Sequence, residues 1–182
     1  MLSTIPNVLT LTRIALIPIM MMAFYAGGQF GSWMAALVFI VACLTDFLDG
    51  YVARVWSQTS RFGQFLDPIA DKLLVATTLL LLAGFERISR YSLIPASIIL
   101  CREITVSGLR EFLGELKINM PVTVIAKWKT AIQMFSICLL LLGGIQTFGS
   151  HILFLGECML WVAGIMTLVT GLDYLKAGMK YF

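Results

Sequence analysis

Long apolar runs alternate with short polar breaks along this chain, and no stretch shows the two-residue alternation of a half-buried strand. Six runs reach the length of about 20 mostly apolar residues that a helix needs to cross a bilayer. They extend roughly from Val8 to Ala26, Trp33 to Val55, Phe65 to Phe85, Tyr91 to Leu113, Val122 to Gly144 and Ile152 to Leu172. The breaks are built from turn formers: Gly27-Gly28-Gln29, Ser57-Gln58-Thr59-Ser60 and Thr147-Phe148-Gly149-Ser150. Connectors this short make successive helices antiparallel neighbours. The pattern therefore predicts an all-α integral membrane protein, with six transmembrane helices in one bundle and a single domain over residues 1–182. The first run lacks the basic leading segment of a secretory signal and is interrupted by Arg13, so it is read as a retained span.

Composition narrows the class further. Of 182 residues, 59% are hydrophobic and 13% charged, half the charge of an ordinary soluble domain at about 25%. Disorder needs the opposite balance. Thirteen Lys+Arg against ten Asp+Glu leave a net charge of +3, too small an excess for a nucleic-acid binder. Cys43, Cys101, Cys138 and Cys158 all lie in apolar runs without a CxxC, and the chain has one His, His151. A disulfide scaffold and a Cys/His zinc site are thereby disfavoured. No GxxxxGK[ST] phosphate loop is present.

Charge also orients the spans. An even number puts both termini on one side, and the breaks at 27–32 and 143–151 on the other carry no Lys or Arg. Arg87 and Arg90 are that side's basic residues, whereas Arg54, Arg61, Arg110, Lys117, Lys176 and Lys180 fall on the side of the termini. The positive-inside rule places the termini in the cytoplasm. Arg13, Lys72, Arg102, Lys127 and Lys129 lie deeper, in the cytoplasmic halves of their spans.

Four aspartates inside the spans carry the chemistry. An ionisable group at membrane depth costs a few kcal/mol and marks a functional site by default. Asp46 and Asp49 are three apart on the second span, and Asp67 and Asp71 are four apart on the third. Both spacings put the pair on one helix face. With the turn centred near Gln58, Asp49 faces Asp67 and Asp46 faces Asp71, in two tiers about one helical turn apart. Four carboxylates so close repel one another, which calls for protons or cations between them. Oxygen donors without His or Cys suit magnesium, manganese or calcium. Two such ions would leave open positions for substrate oxygens, the arrangement used in phosphoryl chemistry. Gly50, Ala53 and Gly63 leave room for a ligand, and Arg54 is placed to meet a phosphate. The plainer alternative is that each Asp pairs with a nearby cation such as Arg54 or Lys72.

The run Asp46-x2-Asp49-Gly50-x2-Ala53-Arg54-x8-Gly63-x3-Asp67-x3-Asp71 resembles the complete signature of the CDP-alcohol phosphotransferase family. Pro6 to Arg13, Gly63 to Lys72, Arg102 to Glu111 and Ala126 to Thr130 are similar to bacterial members that use glycerol 3-phosphate. The C-terminal third is generic and adds little to the resemblance. The resemblance implies transfer of the phosphatidyl group of CDP-diacylglycerol to the primary hydroxyl of glycerol 3-phosphate, giving phosphatidylglycerolphosphate and CMP. It implies that Asp46, Asp49, Asp67 and Asp71 hold two divalent ions (magnesium, with manganese the second choice) and that Asp71 is also the general base. Gly50, Ala53, Arg54 and Gly63 would line the CDP-diacylglycerol site, with Asn7 and Thr10 beside it. It further implies a homodimer among membrane lipids, multi-pass in the bacterial cytoplasmic membrane, with the active site facing the cytoplasm.

Arg102, Arg110, Lys127 and Lys129 add a cation cluster on the fourth and fifth spans. Guanidinium groups match phosphate, so Arg102, Arg110 and Lys127 are read as the site of the acceptor's phosphate. Pairing with Glu103 and Glu111, or snorkelling to lipid headgroups, is the competing reading, most of all for Arg110 and Lys129. Inositol phosphate or phosphatidylglycerol as acceptor keeps the fold and changes the product. A divalent-cation transporter is the alternative of a different class, since carboxylates in membranes also mark ion paths.

Overall fold

The structure, a computed structural model, describes residues 5–56, 61–115, 124–145 and 149–179, with the backbone alone at 5–6, 47–56, 61–62, 64, 115, 124 and 149. Among these residues the chain forms six α-helices: α1 (Ile5–Ala26), α2 (Gly28–Trp56), α3 (Arg61–Gly84), α4 (Leu93–Glu115), α5 (Val124–Gly143) and α6 (Gly149–Gly178). A short 3-10 turn, Arg90–Ser92, leads into α4. The turns expected near Gln58 and near Leu116 to Ile118 lie outside the described residues.

Five helices, all but α3, are long and apolar enough to cross a membrane. The exception has a local cause. Asp67, Asp71 and Lys72 interrupt α3, and the uncharged run left to Gly84 is only about 18 Å long. At 29 and 30 residues, α2 and α6 reach about 45 Å, beyond the hydrocarbon thickness of about 30 Å. The second helix begins at Gly28 rather than Trp33, because the connector from α1 shrinks to one residue. Gly27 and Gly28 take φ values of 66° and 62° there, a left-handed conformation that glycine adopts without a Cβ clash.

Helix α1 packs on α2 and α3, α2 on α5, α5 on α6 and α6 on α4. The shared core holds Met20 of α1, Phe39 of α2, Leu74, Leu79 and Leu82 of α3, Ile99 of α4, Ile137 and Leu140 of α5, and Leu160 of α6. Large apolar side chains such as Met22, Phe30, Leu80, Ile104, Trp128 and Phe154 point outward, as expected where lipid tails replace water. Small residues set the spacing inside. A Cβ on Gly31 would strike the carbonyl oxygen of Ala23, so α1 and α2 touch backbone to backbone. Gly164 admits Pro95 of α4 in the same way, with a built Cβ only 2.7 Å from the proline ring. Ser136 Oγ of α5 donates to the Gly156 carbonyl of α6 at 2.8 Å.

Polar contacts tie down the connector between α3 and α4. Arg87 Nη2 donates to Ser32 Oγ of α2 at 2.9 Å. Glu157 of α6 accepts from the Ser89 N–H at 2.6 Å, from Ser89 Oγ at 2.7 Å and from Ser92 Oγ at 2.9 Å. Glu157 therefore ties the connector that leads into α4 to α6.

Gly31→Ala should lower thermal stability in detergent, since the backbone must move and overpacking costs about 1–3 kcal/mol. Gly108, with nothing within 4 Å of a built Cβ, is the control: Gly108→Ala should melt at or slightly above the parent temperature.

Candidate active site

Helix α1 presents Asn7, Thr10 and Arg13, spaced three apart and so on one face. All three are buried. That face meets the acidic parts of α2 and α3. Thr10 Oγ1 donates to Asp67 Oδ1. Arg13 Nη2 lies 3.1 Å from Asp46 Oδ1 on α2, and Nη1 lies 2.5 Å from Asp71 Oδ1 on α3. The Arg13 side chain is 0% exposed, whereas those of Asp46 and Asp71 are 46% and 38% exposed. The hairpin register places Asp46 and Asp71 at one depth, and one guanidinium holds both. Asp67, one turn earlier on α3, is held one turn earlier on α1.

Two neighbouring cavities open beside this cluster. The first, about 230 Å³, is lined by Asp46, Asp71, Lys72, Glu103, Thr130 and Gln133 among others. The second, about 420 Å³, is lined by Lys72, Arg102, Glu103, Ser107, Arg110 and Glu111 among others. Pro68, Lys72 and Glu103 belong to both walls, so an acidic and a basic compartment adjoin.

Residues 3–169 match the model of the CDP-alcohol phosphatidyltransferase family. The chain belongs to this family. It is 45% identical over 181 residues to a protein of Rickettsia bellii named CDP-diacylglycerol–glycerol-3-phosphate 3-phosphatidyltransferase, covering 98% of this chain and 97% of the relative. Relatives with the same name in Pectobacterium atrosepticum and Cereibacter sphaeroides are 39% and 36% identical. The first alignment covers 95% of this chain and 93% of the relative, the second 98% and 96%.

For this CDP-alcohol phosphatidyltransferase, among the described side chains the cation in contact with Asp46 and Asp71 is Arg13, which the sequence alone did not mark as their partner, while Lys72 shares their cavity wall. The signal was available: Arg13 is the one Lys or Arg among the first 53 residues, inside an apolar helix. Gly63 is buried at the start of α3, next to the acidic face. The side chains of Asp49, Gly50, Ala53 and Arg54 lie outside the described residues. Among the described residues, no three His, Cys, Asp or Glu side chains gather as a metal site. The carboxylates of Asp46, Asp67 and Asp71 are nonetheless the hard oxygen donors that divalent ions prefer. By the chemistry of these oxygens, the donor set among the described residues fits a divalent cation.

On the basic side, Arg102 and Arg110 share a cavity wall and flank Tyr174 of α6. Their guanidinium carbons stand 5.7 and 5.1 Å from the ring centre, and Arg110 Nη2 donates to Tyr174 Oη at 3.1 Å. Nothing in the sequence beyond an aromatic hydroxyl near the end of a generic helix pointed to Tyr174. Lys127 is exposed in the first turn of α5, and Lys129 is the cation that turns inward. Lys129 donates to Glu103 Oε1, which Arg102 Nη1 also approaches at 3.4 Å. The pairing alternative thus describes Lys129 and part of Arg102, while Arg102 and Arg110 still line the cavity.

Lys129 is 2% exposed, so removing its partner leaves a charge unpaired in the interior. Glu103→Gln should cost about 3–5 kcal/mol of stability. Pairing it with Lys129→Met should recover most of that loss in thermal unfolding.

Proposed function

We propose that this chain is a phosphatidyltransferase that moves the phosphatidyl group of CDP-diacylglycerol onto glycerol 3-phosphate, giving phosphatidylglycerolphosphate and CMP. The observation that carries the reading is the junction of an acidic cavity with a basic one. A nucleotide-bearing diphosphate lipid needs cations at its phosphates, which the carboxylates of the first compartment are suited to recruit. An acceptor with its own phosphate needs the guanidinium groups of the second. Full-length relatives bearing the name of this reaction support the same pairing of substrates.

Asp46, Asp49, Asp67 and Asp71 would hold two divalent ions, magnesium in the first instance, which when bound neutralise the diphosphate and stabilise departing CMP. Gly50, Ala53, Arg54 and Gly63 would line the donor pocket, with Asn7 and Thr10 beside it. Thr10 orients Asp67 through its hydroxyl. Arg102 and Arg110 grip the acceptor phosphate, and Lys127 draws the anion toward the mouth of the site. Asp71 takes the proton of the acceptor hydroxyl as that oxygen bonds to phosphorus and the bond from phosphorus to CMP breaks. Arg13 contacts Oδ1 of Asp71 and so orients the carboxylate for this transfer.

In this reading all six helices span the bacterial inner membrane, α3 included, because α1 shields its charged half. Both termini and the site face the cytoplasm, in line with the basic residues on that side. The enzyme works as a homodimer, as its family resemblance implies. A transporter has no comparable support, since the family and the named relatives are transferases.

Purified protein should release CMP when given CDP-diacylglycerol, magnesium and glycerol 3-phosphate, and release less with inositol phosphate or phosphatidylglycerol. Absence of CMP from folded protein in all three cases refutes the reading. Asp71→Asn should slow turnover by roughly 10²–10⁴-fold while CDP-lipid binding, read by equilibrium dialysis, persists. Arg102→Ala should raise the KM for glycerol 3-phosphate well above any change in the KM for CDP-diacylglycerol.

A further inference from the structure

Arg13 has a place in the site that pairing alone does not explain. It is wholly buried, while the two carboxylates it touches are partly open and line the acidic cavity. The guanidinium therefore stands behind the carboxylates, away from the space where a ligand enters. Among the described residues it contacts Oδ1 of Asp46 and Oδ1 of Asp71, one nitrogen to each. A planar fork with separate donors holds two acids from two helices at a set separation, which an ammonium cannot do. A fixed positive charge against two anions also opposes any further cation approaching them.

We propose that Arg13 is a positioning residue: it sets the spacing of Asp46 and Asp71 and holds down the affinity of the acidic cavity for divalent cations. The inference rests on the metal-dependent reading above. Its consequence is a site that binds metal loosely in the empty enzyme and firmly once the donor's phosphates add their own negative oxygens. Arg13 reaches neither substrate and acts through the two aspartates.

Manganese titration of the full-length protein in detergent, followed by electron paramagnetic resonance without lipid substrate, separates the charge effect from catalysis. Arg13→Gln should bind manganese roughly tenfold more tightly than the parent, because a repelling charge is gone. The same variant should turn over roughly 10–100-fold more slowly at saturating metal, because the carboxylates lose their spacing. Arg13→Lys should restore parent-like manganese affinity but not turnover, since the charge returns without the fork. Unchanged or weaker manganese binding in folded Arg13→Gln overturns the proposal, as does full turnover in Arg13→Lys. Should Arg13→Gln fail to fold, Arg13→Lys decides: parent-like affinity with slow turnover supports the proposal, and any other combination overturns it. A parent protein that binds manganese yet releases no CMP refutes the phosphatidyltransferase reading while the manganese comparison still judges the role of Arg13. A parent and an Arg13→Gln variant that both bind no manganese, with or without CDP-diacylglycerol, overturn both.

Discussion

A guanidinium removed from solvent must be matched by anions, and in this protein that requirement joins three helices at one point. Arg13 enters from α1 and finds Asp46 on α2 and Asp71 on α3. An unpaired charge at that depth would cost several kcal/mol, and so would either carboxylate without its partner. The pairing therefore fixes the rotation of α1, α2 and α3 about their axes. Thr10 repeats the arrangement one turn away by reaching Asp67. Among the described side chains, Asp46, Asp67 and Asp71 gather about Arg13, and Lys72 shares the cavity wall with Asp46 and Asp71.

The rest of the polar interior is arranged along the axis that this cluster begins. Glu103 belongs to the walls of both cavities and receives the buried Lys129. Arg102 approaches the same carboxylate and then, with Arg110, packs against the Tyr174 ring. In the proposed reaction both substrates are anionic: the basic compartment suits the acceptor phosphate directly, and the acidic one suits the donor diphosphate only through cations recruited between them. Proximity of two bound reactants is itself a large part of catalysis.

Apolar packing supplies the frame. Helices in lipid gain little from hydrophobic burial against one another, so close contact must come from small residues and matched polar groups. Gly31 against Ala23, Gly164 against Pro95 and Ser136 against Gly156 are contacts of this kind. Helix α3 is the member of the bundle that gives up lipid compatibility for chemistry. Its charges Asp67, Asp71 and Lys72 keep it outside the set of helices apolar enough to cross a membrane unaided, and α1 covers the two carboxylates.

Helix number, the apolar class and the acidic face of Asp67 and Asp71 on α3 were legible in the order of residues, because length of apolar run and four-residue spacing are local properties. Asp46 and Asp71 could be matched in depth from the same arithmetic, since a short connector leaves an antiparallel pair little freedom of register. The one-residue link at Gly27 was not legible, because it depends on how closely α1 and α2 approach. Arg13 was visible as a buried-depth cation, yet its partners were not, because each sits on a helix whose rotation is settled only when the bundle closes; for Lys129 the sequence offered Glu103 and Glu111, and packing chose Glu103. Tyr174 is the extreme case: a residue in an unremarkable terminal helix gains its place from arginines more than 60 positions earlier. Periodicity along the chain thus decides which residues share a face, and tertiary packing decides which faces meet, because a charge buried in lipid can be matched only across helices.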